Sequence, residues 1–224
     1  MASAALVSAV SQPYPPEGTG KRLISLRYWM AGRNFHLALR ALDPNRRLFH
    51  GLRKDGATPE FDHHVCQAHF VRTLPNVLFM EETLASVFFH DSPEDHGLSF
   101  QEIRHLYADA PTFGDRVANA VQRLTKTWRG QAVEASVIFP AMAECPIASL
   151  NKGVDRIHNQ QSMVGVFTPA KQRLYLQETE EFILPMLKAA AQRFPEQEEA
   201  YKILRTVLKM QGALIDVQLR SLGV

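Results

Sequence analysis

An all-α fold, a helical bundle with a metal site in its centre, is what this chain predicts, on three observations. Apolar residues recur three or four apart along most of its length, and strand alternation is hard to find. A His-Asp dipeptide, His90-Asp91, closes one of the apolar runs, and two adjacent side chains able to ligate a divalent ion point to a metal held among helices.

The elements follow in order. Residues 1 to 20 are rich in Ala, Ser, Pro and Gly, lack the basic start of a secretory signal, and read as a disordered arm. Helical periodicity then runs from Leu23 to Leu42, Val65 to Leu74, Thr83 to Phe89, Val117 to Leu124 and Leu174 to Leu187. Ser99-Phe100-Gln101-Glu102 has the form of a capping box, in which hydroxyl and carboxylate satisfy free amides, and predicts a short helix from Phe100 to about Tyr107. Val133 to Ala143 reads as a buried core segment, with Phe139 and Met142 in packing roles. Pro185 and Pro195 punctuate the last third, and Glu196 to Leu222 forms a final amphipathic helix. The reading is one domain, residues 21–224, after the arm.

Composition limits the function. At 224 residues and 46% hydrophobic the chain can bury a sizeable core, and a formal charge of +2 with mixed signs argues against a nucleic-acid surface. No apolar run approaches the length of a membrane span. Cys66 and Cys145 lack metal-ligand spacing, which fits structural thiols in a reducing cytoplasm. The apolar face of the last helix needs a cover, either this domain or a second copy in a homo-oligomer.

The chemistry sits in three stretches: His63 at the start of the Val65 helix, His90-Asp91 after the Thr83 helix, and Asp155 within Asn151 to Asn159. Two His and two Asp make a nitrogen and oxygen donor set with room for water, suited to Mn²⁺, Fe²⁺ or Zn²⁺ at an open, catalytic site. Such an ion lowers the pKa of bound water and polarises a phosphoryl oxygen. Glu94 and Asp95 are then placed to steer or deprotonate that water. Pro93 disfavours a continuous helix, so this pair is expected in a tight turn that aims both carboxylates inward.

Blander readings compete. A lone His-Asp dipeptide arises often by chance. His64, His69, His96 and His105 read equally well as surface or core-edge histidines, and His64 competes with His63 as ligand. Glu178, Glu180 and Glu181 read as a solvated helix face. Lys152 and Arg156 flank Asp155, and the simpler role for both is to be solvated or paired with nearby acids. Asn159, four residues after Asp155, shares its helix face.

Taken in order, Arg53-Lys54-Asp55-Gly56, Thr58-Pro59-Glu60-Phe61-Asp62-His63, His90-Asp91-Ser92-Pro93-Glu94-Asp95, Ser99 to Ile103, Phe113-Gly114 with Val117-Ala118, Leu124-Thr125-Lys126, Lys152 to Asn159, Thr168-Pro169 and Glu178-Thr179 resemble successive blocks of the hydrolase domain of the RelA/SpoT alarmone enzymes. The resemblance covers roughly residues 30 to 190. The chain looks like a stand-alone small alarmone hydrolase, similar to the metazoan SpoT homologue, within the HD phosphohydrolase superfamily.

The resemblance implies an HD-domain helical bundle, one Mn²⁺, and hydrolysis of the 3′-pyrophosphate of guanosine tetra- or pentaphosphate. It implies His63, His90, Asp91 and Asp155 as metal ligands, Glu94 and Asp95 as the catalytic pair, and Arg53, Lys54 and Asn159 as nucleotide contacts. His63 is chosen because it ends the Thr-Pro-x-x-x-His block. Guanidinium suits this setting because it forks onto phosphate oxygens or stacks on a purine. Departures exist: Phe49-His50-Gly51-Leu52 is shorter than the family's His-x-Gly-Gln run, Arg129 is almost alone among apolar residues between Lys126 and Lys152, and Tyr175 is only a candidate for a downstream aromatic. Another nucleotide substrate (a deoxynucleotide or NADPH) and a non-catalytic nucleotide-sensing module are the alternatives.

Overall fold

The structure, a computed structural model, describes residues 20–128 and 130–223. It is all-α: helices follow one another throughout, and the strands among the described residues are one two-rung hairpin. The arm expected over residues 1 to 20 lies outside the described residues except for Gly20, which opens the first helix, and Arg129 lies outside them too. The described chain forms two compact units, one of the residues up to Thr73 with Phe79–Glu134, the other of Leu74–Leu78 with Ala135 onward.

The first unit comprises α1 (Gly20–Gly32), α2 (His36–Leu48), α3 (Asp62–Val71), α4 (Met80–Phe89), α5 (Ser92–His96), α6 (Phe100–Leu106), α7 (Pro111–Leu124) and the hairpin strands β1 (Thr127–Trp128) and β2 (Gln131–Ala132). Its centre is α4, buried at every position from Glu82 to Phe89 and packed against α2, α3 and α7. From Leu84 to Phe89 every residue but Ser86 is apolar, so this stretch has no solvent face and belongs inside its neighbours. The one buried acid of α4, Glu82, is met by Arg116 at 3.0 Å.

The Leu23 to Leu42 periodicity is interrupted: α1 stops at Gly32 and α2 starts at His36, with Asn34 in the left-handed region at φ 59° between them. The start of α2 has no cap from its own Phe35. Glu81 supplies one from α4, its Oε1 accepting from the Leu37 and Ala38 amides at 2.7 and 3.1 Å. The capping box at α6 forms as read, with the Ser99 amide donating to Glu102 and the Glu102 amide to Ser99 Oγ.

The second unit comprises α8 (Ala135–Ala143), α9 (Pro146–Met163), α10 (Pro169–Glu178), a π-helical turn (Thr179–Ile183), α11 (Leu184–Arg193), a 3₁₀ turn (Pro195–Gln197) and α12 (Glu198–Ser221). Gly153 lets α9 approach α11 and α12 closely: a Cβ there would lie 2.8 Å from Leu204 and 3.1 Å from Leu187. Phe139 and Met142 are buried as expected, and Phe139 stacks on Phe182. Val133 and Val137 are exposed, so the segment buries one face and not the whole run. A buried network of Ser149, Tyr201 and Gln197 reaches the Leu78 amide, which donates to Gln197 Oε1 at 2.7 Å.

Two expectations are corrected here. Glu178 belongs to no solvated face, because its carboxylate pairs with the buried guanidinium of Arg156. The run from Leu174 to Leu187 is not one regular helix, since the π turn inserts a residue and Pro185 opens α11. Cys66 and Cys145 are free thiols, and no helix among the described residues is long and apolar enough to cross a membrane.

Candidate metal centre

Helix α4 ends inside the first unit, and its end delivers the site. His90 is its C-cap and Asp91 the N-cap of α5, so the dipeptide sits at a corner between two helices. Pro93 lies in the first turn of α5, where its missing N–H costs nothing, and the expected tight turn is instead a single helical turn. Asn45 holds that turn from α2: its Nδ2 donates to Ala41 O at 2.8 Å, and its Oδ1 accepts from Ser92 Oγ at 2.7 Å.

Three imidazoles surround one carboxylate oxygen. Asp91 Oδ2 lies 3.0 Å from His90 Nε2, 3.7 Å from His63 Nε2 and 3.9 Å from His64 Nε2. All three rings are buried, while the Asp91 side chain is 37% exposed and gives the cluster an opening. His64, His90 and Asp91 offer ligand atoms within 4.8 Å of one another.

Tautomers decide what this cluster can hold. His90 Nδ1 faces Val87 O at 2.8 Å, and only an N–H can donate there, which leaves the lone pair of neutral His90 on Nε2. Nε2 lies 3.0 Å from Asp91 Oδ2, and two acceptors that close repel unless a proton or a cation is shared by both. Burial first, then the neighbouring His90 and His63 charges, pull His64 well below the ordinary histidine value, so it is neutral as a ligand must be. The donors therefore fit a divalent ion of intermediate hardness.

The two adjacent histidines differ. Gln67 Nε2 lies 2.5 Å from His63 Nε2, so the amide occupies the nitrogen nearest Asp91. Neither ring nitrogen of His64 has a hydrogen-bond partner, although its ring packs between Phe49 and Phe61. His64, the competitor of His63 for the ligand role, thus joins the cluster on equal terms. Its signal was the His-His pair itself, since consecutive helical residues diverge by about 100° and can flank one point above the helix.

The acidic pair lies on α5, both carboxylates partly in solvent. Glu94 Oε1 accepts from the Lys126 amide and, at 3.3 Å, from the Thr127 amide, which ties it to the start of the hairpin. Partial burial, then the charges of Asp91, Glu60 and Glu94, push the Asp95 carboxyl up to about 6, against His90.

Arg53 and Lys54 occupy a loop closed by the Leu52 to Pro59 bridge, in which Gly56 takes φ +70°. Asp55 organises it by accepting from the Ala57 and Thr58 amides at 2.9 Å and from the Thr58 hydroxyl at 2.5 Å. Those bonds hold its carboxyl down at about 2, and Arg53 adds to the effect. The Arg53 charge adds, as the last of its causes, to the lowering of the His64 pKa.

In the second unit Asp155 lies on α9, buried, with Lys152 Nζ 2.8 Å from Oδ2 and Asn159 Nδ2 donating to Oδ1 at 2.8 Å. The shared face of Asp155 and Asn159 is as read, and of the two roles open to Lys152 the structure shows pairing, not solvation. Burial pulls the ammonium of Lys152 down, but Asp155 beside it wins and its pKa is raised. Arg156 donates to Tyr175 O at 3.0 Å and stands over the Tyr175 ring.

No protein-family model matches the chain. Among curated proteins it is similar to a probable guanosine-3′,5′-bis(diphosphate) 3′-pyrophosphohydrolase of Synechocystis sp. (strain PCC 6803), with 30% identity over 142 residues. That match takes in 60% of this chain and 17% of the relative, so the chain spans a small part of the protein it resembles.

Proposed function

We propose that the chain is a metal-dependent phosphohydrolase that removes the 3′-pyrophosphate of guanosine tetra- or pentaphosphate, yielding GDP or GTP and pyrophosphate. The observation that carries it is the acceptor pair His90 Nε2 and Asp91 Oδ2, 3.0 Å apart among buried imidazoles, an arrangement that asks for a cation. The similarity to a named 3′-pyrophosphohydrolase supports the substrate.

His90 and Asp91, with His63 or His64, would hold a Mn²⁺. Asp155 enters the ligand set, and Asn159 the nucleotide contacts, through their sequence block alone. When bound, the ion supplies Lewis acidity toward a phosphoryl oxygen and a lowered pKa for water. In the reaction, the oxygen of a water molecule bonds to the phosphorus attached to the ribose 3′-oxygen. The bond from that phosphorus to the 3′-oxygen breaks, and the 3′-oxygen leaves as a hydroxyl with a proton.

Asp95, with its carboxyl near 6, is matched to take the water proton close to neutral pH. Glu94, held by the hairpin amides, orients the same water. Arg53 and Lys54 set cations against the pyrophosphoryl group that is transferred to water.

The test is Mn²⁺-dependent pyrophosphate release from guanosine tetraphosphate, with EDTA, Glu94→Gln and Asp91→Ala as controls and with deoxynucleotides and NADPH as competing substrates. Stoichiometric GDP and pyrophosphate, lost in all three controls, are expected. Turnover of only another nucleotide would keep the metal chemistry and overturn the substrate, and wild-type rates in both variants would overturn the site.

A further inference from the structure

Helix α12 carries two apolar faces, and its own unit covers one of them. Tyr201, Leu204, Leu208, Ile215 and Leu219 are buried, and the helix packs against α9 and α11. A second line stands in solvent: Met210, Leu214 and Val217 are 63%, 71% and 59% exposed, and the half-buried Ile203 and Val207 continue it toward the helix start.

The spacing of that second line fits a helix as its cover. Ile203, Val207, Met210, Leu214 and Val217 follow one another at intervals of 4, 3, 4 and 3 residues, the repeat whose seam faces a partner helix in a coiled coil. At about 100° per residue the five fall in a stripe about 80° wide, turned about 130° from the buried line. Globular packing buries a broader face than this, whereas a stripe so narrow is a two-helix seam.

The charges beside the seam say which helix. Glu199 lies four residues before Ile203 and Arg220 three after Val217, so both flank the stripe on one side, an acid at the start of α12 and a base at its end. A second copy of α12 laid antiparallel sets Val207 against Met210, Ile203 against Leu214, and Glu199 beside Arg220 at each end of a two-fold interface. The flank between these ends is Thr206 and Ala213, small and neutral. A parallel pair would instead bring two acidic starts together. Within their own helix Glu199 lies 3.7 Å from Lys202 and Arg220 2.5 Å from Asp216, exposed pairs that exchange partners at little cost.

We infer that this stripe is a homodimer interface, on which a second copy of the chain packs its α12 antiparallel. The two covers expected for the last helix, its own domain and a second copy, then fall on different faces. The interface is independent of the metal cluster, and its test does not read hydrolysis.

Sedimentation equilibrium of the full chain from about 1 µM to about 500 µM should show reversible dimers, because two heptads make a short seam and a modest affinity. Leu214→Glu should weaken association at least about tenfold at unchanged helical circular dichroism, and Met210→Lys repeats that test should Leu214→Glu not fold. Arg220→Glu should weaken it about tenfold, and adding Glu199→Arg should restore it, a rescue that only the antiparallel register produces. A monomer at every concentration would leave the stripe to a different partner and overturn the interface, as would association retained in a folded Leu214→Glu or Met210→Lys variant. Failure of the double exchange to restore association would overturn the antiparallel pairing.

Discussion

The ring of His64 packs against the ring of Phe49, centroids 4.3 Å apart, while its neighbour His63 has a glutamine amide on the nitrogen that faces Asp91. Two histidines adjacent in sequence thus stand in opposite conditions, one with both nitrogens uncommitted and the other engaged. His64→Ala should weaken Mn²⁺ binding more than tenfold by calorimetry, because a ligand and not a packing group is removed. Undiminished affinity in that variant, with a loss in His63→Ala, would return His64 to the core.

Asp95 should make the metal-free protein less stable as pH rises. Its carboxyl, ordinarily at 3.8, is held at about 6 in the fold, so between those values the folded chain keeps a proton that the unfolded chain has released. Raising pH across that window favours unfolding, and above it this contribution is constant. Urea midpoints in EDTA at about pH 4.5 and about pH 7 should differ less in Asp95→Asn than in the wild type. Identical differences would show that Asp95 titrates normally.

The same substitution should have opposite signs at two glycines. A Cβ at Gly114 would lie 2.9 Å from Tyr107 Cβ, an atom fixed to the backbone, so Gly114→Ala should cost about 1–3 kcal/mol. At Gly212 the nearest atom is Leu176 Cδ2 at 3.7 Å, ordinary contact, and Gly212→Ala should stabilise by about 0.5–1 kcal/mol through helix propensity. Denaturant unfolding of the two variants decides both.

Arg156 is 3% exposed and is paired with Glu178. Glu178→Gln leaves a buried guanidinium without its counter-charge and should destabilise by about 3 kcal/mol. Asp109→Asn, which breaks the exposed pair with Arg40, should cost under about 1 kcal/mol. Comparable losses in thermal unfolding would mean that Arg156 is hydrated through its remaining contacts.

Local signals were legible in the sequence and distant ones were not. The Ser99 to Glu102 capping box spans one turn, and its geometry follows from spacing alone. The break at Asn34 escaped because apolar spacing continues on both sides of it, α1 and α2 facing the same core. The π turn at Thr179 escaped for a related reason: one inserted residue shifts a helical pattern by about 100° without ending it. His90 and Asp91 are adjacent in the chain and stay close in space, whereas the ties of Glu94 to Lys126 and of Asn45 to Ser92 join residues far apart in the chain, and no periodicity encodes them.

The hairpin that anchors Glu94 has two rungs, Thr127 with Ala132 and Trp128 with Gln131. A ladder so short does not sustain itself in water; here the Trp128 ring leans on Phe100, centroids 5.1 Å apart. Such a ladder opens at the low-stability end of a protein's local fluctuations, far below the cost of unfolding the unit around it. Each opening frees the Lys126 amide from Glu94, so the exchange of that one amide hydrogen clocks how often the carboxylate is out of position.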